Sequence, residues 1–288
     1  MPVGGSEQSR AAMAEVRAVL EEQGERERDP HYLYWNHDVA LIAQEAFENL
    51  PQPGVVVFSP GNQTPEQLQA QIRLNTPKDH QGLVCYIMQE GDRNHWTGVV
   101  VDTRDNADPC LYYVDSLHGR ENPGYREHEA RIKAAFDSAM GKGFRVPDIE
   151  GKYYLQEDGV SCGPCVVENL RSAMLASQRG PLHAQQMLEE DYRIGIPDPS
   201  KKQEQTDAIR RQHAEDVSQL AEGLDWAKVA KNRELELTLL SIVNTHKPEA
   251  GLGPIIDRNC ESVRTKKEVV KDQKQVELSS CADKESSS

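Results

Sequence analysis

The chain lacks any apolar run long enough to cross a membrane. Its longest runs, within "GVVVF" and "TGVVVD", extend for only a few residues, whereas a transmembrane helix needs about 20. The opening segment "MPVGGSEQSR" also lacks the basic and then apolar layout of a secretory signal peptide. We therefore expect a soluble protein with no membrane span.

Positive charge is also scarce. The 288 residues contain 33 Lys and Arg against 47 Asp and Glu, which gives a formal net charge of −14. Proteins that bind nucleic acids need clustered Lys and Arg to contact phosphates, so the composition predicts no nucleic-acid partner. An acidic chain suits a protein partner that has a basic face.

The cysteines have no framework spacing. Six of them are scattered along the chain, at positions 85, 110, 162, 165, 260 and 281. In a chain of this length without an export signal, such a pattern is typical of reduced thiols. We expect a reducing compartment, in which a reactive cysteine can operate.

Hydrophobic periodicity and turn residues predict an α+β fold. Helices are predicted at 8–27, 32–50 (with its entry segment), 64–74, 126–140, 161–178, 206–224 and 225–244, and strands at 55–58, 82–88, 95–102, 110–116 and 151–156. The two late helices are predicted to bury Ile209, His213, Val217, Leu220 and Leu224, and Trp226, Val229, Leu237 and Leu240, respectively. Because most strands follow one another directly, we expect a mostly antiparallel central sheet flanked by helices.

The stretch "QEDGVSCGPCVVENL", residues 156–170, allows two kinds of chemistry. A Cys-x-x-Cys motif at a helix start is typical of thiol–disulfide exchange, with Cys162 as the attacking thiol and Cys165 as the resolving one. Thioredoxin-like domains carry this motif early, after their first strand, and here it follows several antiparallel-looking strands. Since Cys165 also precedes two valines, a buried packing role is favoured for it.

The alternative is a cysteine nucleophile that attacks an acyl group. Such a thiol needs a base, a group that orients the base, and donors for an oxyanion. His95 begins one predicted strand, Asp115 ends the adjacent one, and Cys162 begins a helix whose dipole stabilises a thiolate. Gln156 can offer its side-chain amide beside the Cys162 backbone N–H. Each residue alone also has an ordinary structural explanation, as a packed histidine, a turn former or a solvated side chain.

Taken in order, these residues resemble the adenain-clan (clan CE) cysteine proteases. That family includes the SUMO and ubiquitin-like-protein proteases and bacterial effector deubiquitinases. Its pattern corresponds here to His95-Trp96, Asp115-Ser116, Gln156 and Cys162-Gly163, with intervals of 20, 41 and 6 residues. The segment "YWNHDVALI" also resembles the family's N-terminal Trp-Leu-Asn-Asp motif, although Asn36-His37 departs from the usual pair.

The resemblance spans about residues 30–180 and implies a papain-like core that cleaves peptide or isopeptide bonds after Gly-Gly. It implies a catalytic set of Cys162, His95 and Asp115 with Gln156 in the oxyanion hole, and it needs no cofactor or metal. By the same resemblance, substrate binding involves Trp35, Asp38, Trp96 and Gly163. Trp35 would cover the channel for the Gly-Gly tail, and Asp38 would contact the globular body of the modifier.

Three function classes stay open at this point. A ubiquitin or ubiquitin-like protease is favoured. Ubiquitin is placed ahead of SUMO and NEDD8 because the chain is acidic and because "VDSLHG" and "QEDGVSCG" resemble bacterial effector deubiquitinases more than nuclear SUMO proteases. An acetyltransferase of the related effector group is disfavoured by Asp115 in place of Glu and by the net charge. An inactive binding module is disfavoured by the presence of all four chemical residues. An effector would act in the cytosol of a host cell, and any other protease of this kind in the cytoplasm or nucleus.

The sequence predicts four segments. These are a helical lead-in at 1–28, the protease domain at 29–195, a helical extension at 196–247 and a largely disordered tail at 248–288. The helices at 206–244 either pack on the core or present Trp226 and leucines as an accessory ubiquitin-binding surface.

Overall fold

A computed structural model describes most of the chain. The described residues are 7–48, 55–59, 63–76, 79–90, 95–105, 107–117, 123–147, 153–177 and 193–265. They form two compact units, one of Gly24–Asp216 and one that combines Met1–Gln23 with Val217–Ser288. No helix among the described residues has the length and apolarity that a bilayer requires.

The element order is that of an α+β fold. The larger unit contains α2 (Asn36–Glu48), β1 (Val55–Ser59), α3 (Pro65–Asn75), β2 (Leu83–Glu90), β3 (His95–Asp102), β4 (Cys110–Val114), α4 (Pro123–Met140) and α5 (Cys162–Ser177). The smaller unit contains α7 (Trp226–Lys231), α8 (Arg233–His246) and α9 (253–265). Two helices cross the boundary between the units, α1 (Glu7–Glu27) and α6 (Lys202–Gly223).

The four strands form one sheet in the order β1-β2-β3-β4. β1 pairs with β2 in parallel, since α3 lies between them in the chain, and the other two pairings are antiparallel. Every residue of β3 and β4 is buried, which agrees with their content of valine and aromatic side chains. The prediction of a mostly antiparallel sheet flanked by helices is confirmed.

Helices cover both faces of this sheet. Val99 and Val101 of β3 pack in a core with residues of α3 and α4, which include Ile72 and Phe136. Successive strand residues point to opposite faces, so Gly98 lies on the other face, against α5. A Cβ atom added at Gly98 would lie 2.8 Å from side-chain carbons of both Val166 and Leu170. The absence of a side chain at Gly98 therefore lets α5 lie directly on β3.

The strand predicted at 151–156 does not form among its described residues, 153–156. A side chain takes the place of a partner strand there. Asn169 of α5 accepts from the Tyr154 backbone N–H at 2.7 Å and donates to the Tyr154 carbonyl at 3.0 Å. The Gln156 N–H donates to the Ser116 carbonyl at 2.9 Å. The extended backbone is thus satisfied without a sheet ladder.

The predicted helix at 225–244 is two helices, because Asn232 ends α7 and caps α8 by accepting the Leu235 N–H. This break changes the helical phase, so Leu237 is exposed rather than inward, and Leu235 and Leu239 are buried. The Trp226 indole N–H donates to the Ser9 carbonyl at 3.1 Å within the smaller unit. That contact favours packing over an accessory surface for Trp226.

The tail and the extension differ from their predicted bounds. Residues 253–265 are helical, and Leu252, which directly precedes this helix, is buried together with Ile256 and Cys260. Residues 266–288 lie outside the described residues. The start of the predicted extension, 196–216, belongs to the same compact unit as the sheet. Its predicted stripe from Ile209 to Leu224 is buried throughout.

We predict that Gly98→Ala destabilises the protein, because the new methyl group overpacks the contact between β3 and α5. The expected loss is about 1–3 kcal/mol in the free energy of unfolding, measured by urea denaturation. Gly143→Ala is the matched control, since a Cβ there meets nothing within 4 Å. Equal stability of the two variants would contradict the close approach.

Candidate active site

Adjacent strands bring His95 and Asp115 together. His95 is the first residue of β3 and Asp115 follows the last residue of β4, and Gly98 pairs with Val114 in the antiparallel register. The His95 Nε2 atom lies 2.8 Å from Asp115 Oδ1, and both side chains are buried. The same Asp115 oxygen also accepts the Leu117 backbone N–H at 2.9 Å. The carboxylate is therefore fixed from two directions.

Cys162 completes this cluster from the start of α5. Its thiol hydrogen-bonds the His95 ring, and only 2% of the residue is exposed. The fold thus gathers a thiol, an imidazole and a carboxylate that are far apart in the sequence. This is the arrangement that nucleophilic cysteine chemistry requires.

The electrostatics of the cluster favour a charged imidazole. Burial lowers the pKa of His95, but hydrogen bonds to Asp115 and Cys162 outweigh it and raise the pKa from an ordinary 6.5 to about 10. The ring therefore carries its proton at neutral pH. A charged imidazole in this position can later give its proton to a leaving group.

Gln156 is joined to this cluster through Ser116, the residue after Asp115, which orients the Gln156 amide. The Ser116 hydroxyl donates to Gln156 Oε1 at 2.6 Å, and Gln156 Nε2 donates to the Asp158 carbonyl at 2.7 Å. An amide NH2 has two N–H bonds, and within the described part of the chain only one of these has an acceptor. The other can serve an oxyanion.

A short turn leads from Gln156 to Cys162, and Asp158 organises it. Its carboxylate accepts the backbone N–H groups of Val160 and Ser161, at 2.8 and 2.7 Å, and the Ser161 hydroxyl at 2.8 Å. The Ser161 carbonyl then accepts the Cys165 N–H, the first hydrogen bond of α5. The positioning contacts of Ser116 and Asp158 could not be predicted from the sequence, although both residues lie inside the motifs "VDSLHG" and "QEDGVSCG".

Three of the predicted substrate residues lie around Tyr34. The Trp96 indole N–H donates to the Tyr34 carbonyl at 3.3 Å, and Trp96 is buried. A Cβ at Gly163 would lie 2.9 Å from the Tyr34 Cβ atom, so glycine permits this close approach. Trp35, the next residue, is 56% exposed. Of the three, Trp35 has the surface to cover a bound peptide tail.

Asp38, the fourth predicted substrate residue, is fully buried. Its carboxylate accepts the Trp35 backbone N–H at 2.7 Å and the Tyr32 hydroxyl at 2.9 Å, and burial raises its pKa to about 6. These contacts hold the start of α2 and the backbone of Trp35. In this arrangement Asp38 offers no surface to a folded modifier, so we assign it a supporting role.

Cys165 is buried without exposure, against Tyr154 and Ile209. Burial raises the pKa of its thiol well above the ordinary value. A neutral, enclosed thiol is a poor partner for disulfide exchange. The expectation that Cys165 packs in the core is confirmed.

Comparison with known proteins gives likenesses of fold only. No protein-family model and no curated protein sequence matches the chain. Among solved structures, the Xanthomonas campestris effector protein XopD bound to ubiquitin is 18% identical, with 61% of this chain and 91% of that chain covered and a TM-score of 0.40. The SUMO protease Ulp1, with its catalytic cysteine oxidised to a sulfenic acid, is 14% identical, with 75% and 96% covered and a TM-score of 0.43. AvrA delL154 with IP6 and CoA is 14% identical, with 73% and 81% covered and a TM-score of 0.40.

We predict that the His95 ring stays protonated through neutral pH and titrates near pH 10, observed through its ring nitrogen shifts by NMR. Because the charged ring is the stabilised form, its contribution to folding is complete below pH 6.5 and is lost as the pH rises through about 10. Asp115→Asn removes the charged acceptor and should lower the pKa.

Asp105→Asn is the control for that titration, because Asp105 is an exposed carboxylate whose hydrogen bond, within the described ranges, is to the Ala107 N–H of its own turn. It should leave the His95 titration unchanged. A wild-type ring that titrates at or below 6.5 would contradict the described electrostatics.

Proposed function

We propose that this chain is a cysteine protease that cleaves peptide or isopeptide bonds after the C-terminal Gly-Gly of ubiquitin or a ubiquitin-like modifier. The observation that carries the proposal is the buried cluster in which one imidazole contacts both the Cys162 thiol and, at 2.8 Å, the Asp115 carboxylate. Cys162 is the nucleophile, His95 the acid and base, and Asp115 the group that orients the ring. Gln156 supplies an oxyanion donor.

The reaction begins when the Cys162 sulfur attacks the carbonyl carbon of the terminal glycine. The carbonyl electron pair moves onto oxygen, and this oxyanion accepts hydrogen bonds from the Gln156 amide and the Cys162 backbone N–H. His95 then protonates the leaving nitrogen as the C–N bond breaks. A thioester between the modifier and Cys162 remains.

Hydrolysis of the thioester uses the same groups, and His95 now acts as the base instead of the acid. The imidazole of His95, now neutral, takes a proton from water while the water oxygen bonds to the thioester carbon. The C–S bond breaks, the modifier leaves with a free carboxylate, and Cys162 returns to its starting state. Asp115 accepts from the ring in both steps and keeps it in place.

The motif and the residues beside the thiol support the proposed substrate class. Trp35 follows Tyr34, which packs over Gly163 next to Cys162, and its exposed side chain is available to cover an extended peptide tail. Among modifiers that end in Gly-Gly, we favour ubiquitin over SUMO and NEDD8. The net charge of −14 favours encounter with a basic recognition face.

We predict that ubiquitin carrying a C-terminal electrophile forms a covalent adduct at Cys162, because the tail places the electrophile at the activated sulfur. Intact-mass and peptide-mass spectrometry locate the adduct. Cys162→Ala should form none, and Cys85→Ala, a buried strand cysteine, should react as the wild type does. Absence of an adduct with ubiquitin, NEDD8 and SUMO electrophiles alike would overturn the proposed function.

We predict that Cys165→Ala retains most of the hydrolytic activity on a fluorogenic ubiquitin amide. Cys165 has a packing role, so the substitution should cost stability, about 1 kcal/mol for the removed group, and leave the rate within about twofold. Thermal melts and steady-state kinetics separate the two effects. A loss of rate comparable to that of Cys162→Ala would revive the disulfide interpretation.

A further inference from the structure

Arg210 is a buried arginine in α6, outside the segment that carries the motif. Its relative exposure is 1%, the same as that of buried aliphatic core residues. An arginine stays charged in proteins, and burial removes its hydration, so it must find acceptors inside the fold. Its contacts therefore show what the charge is used for.

The guanidinium group holds the turn that precedes Cys162. Its Nε and Nη2 atoms donate to the Ser161 hydroxyl oxygen at 3.2 and 3.0 Å, and Nη2 also donates to the Val160 carbonyl at 3.2 Å. On the opposite side, Nη1 donates to the Asp29 carbonyl at 3.2 Å. One rigid fork thus connects the turn before the nucleophile to the segment that leads into α2.

The same group also lies over Tyr34. The guanidinium carbon is 5.1 Å from the centre of the Tyr34 ring, which is a cation–π distance. The Tyr34 side chain in turn occupies the space that a side chain at Gly163 would need, and the Tyr34 carbonyl accepts the Trp96 indole N–H. Arg210 therefore contacts both the turn before α5 and the residue that packs against Gly163 in the first turn of α5.

The charge of Arg210 has no direct ionic partner within the described ranges of the chain. Its acceptors are a hydroxyl, two carbonyls and an aromatic face. A buried charge held this way gives little net stability compared with an apolar side chain of similar volume. The guanidinium group instead fixes the relative positions of the groups that it binds, because its N–H donors are coplanar and rigidly arranged.

A chain of hydrogen bonds continues from Arg210 to the oxyanion donor. Ser161, which accepts from Arg210, donates its own hydroxyl to Asp158 at 2.8 Å, and the Asp158 carbonyl accepts the Gln156 amide at 2.7 Å. Cys162 follows Ser161 directly in the sequence. Both the nucleophile and the oxyanion donor are thus connected to one guanidinium group.

We infer that Arg210 is a positioning residue, which holds the turn at 158–161 so that the Cys162 thiol meets His95 and the Gln156 amide points at the reacting carbonyl. The role in substrate turnover rests on the proposed function, whereas the role in placing the thiol does not. The helical extension, predicted from the sequence to lie outside the protease domain, therefore supplies part of the active site's support.

Arg210→Lys tests this inference, because lysine keeps the charge and cannot span the three acceptors. The readout is the rate at which iodoacetamide alkylates Cys162, followed by peptide-mass spectrometry of the full-length protein. This rate reports thiol reactivity and needs no ubiquitin. We expect it to fall by about tenfold or more, in line with the cost of a small misplacement of a reacting group, and kcat on a fluorogenic ubiquitin amide to fall more than KM rises.

Arg171→Lys is the matched control. Arg171 is another buried arginine, on α5 itself, with a two-pronged contact to Glu168 at 3.0 and 2.7 Å. Glu168, its partner in that contact, lies one helical turn away on α5 and outside the turn at 158–161. The substitution should lower the melting temperature and leave alkylation of Cys162 at the wild-type rate.

Ser161→Ala is a second variant, in case Arg210→Lys does not fold. It removes the hydroxyl that Arg210 binds, so alkylation of Cys162 should be slower, as in Arg210→Lys. In the variant that carries both substitutions, the rate should fall by less than the product of the two single effects. Wild-type alkylation in both single variants, or equal slowing in Arg171→Lys, would overturn the inference. If Cys162 of the wild-type protein reacts with iodoacetamide but forms no adduct with the ubiquitin, NEDD8 or SUMO electrophiles, the proposed function is overturned and the inference about Arg210 is not.

Discussion

The 2.8 Å hydrogen bond between His95 Nε2 and Asp115 Oδ1 fixes the geometry of the whole site. A buried carboxylate is costly unless it is paired, so the end of β4 and the start of β3 must stay together. Ser116 then reaches Gln156 from its place beside Asp115, at 2.6 Å. The thiol of Cys162 approaches the same imidazole from α5. The sheet therefore positions the imidazole through β3 and the carboxylate through β4, and it positions the thiol through α5, which packs on β3.

Two glycines allow the nucleophile helix to come this close. Gly98 leaves room on β3 for α5, and Gly163 leaves room in the first turn of α5 for Tyr34. A methyl group at either position would lie within 3 Å of a neighbouring carbon, so the helix would have to move outward. The position of Cys162 relative to His95 therefore depends on backbone contacts as much as on hydrogen bonds.

The sequence predicted the periodic elements and named the residues that the fold brings to the candidate site, and it failed where side chains replace regular structure. The strand expected at 151–156 is absent from the described residues because Asn169 takes the place of its partner strand. Periodicity assigns charged residues to the surface, so it could not reveal that Arg210 and Asp38 are buried. Leu237 was assigned to the wrong face because an Asn cap restarts the helical phase. Such contacts depend on three-dimensional neighbours that a single sequence does not list.

The central claim is that Asp115 acts only through His95, as one unit with Cys162. A double-substitution cycle on hydrolysis of a fluorogenic ubiquitin amide tests it most directly, with His95→Ala, Asp115→Ala and the double variant compared by kcat/KM. Residues that act as a unit are strongly non-additive, so the double variant should be no slower than His95→Ala alone. A double variant that is slower by the product of the two single losses would show that the residues act independently and would contradict the account.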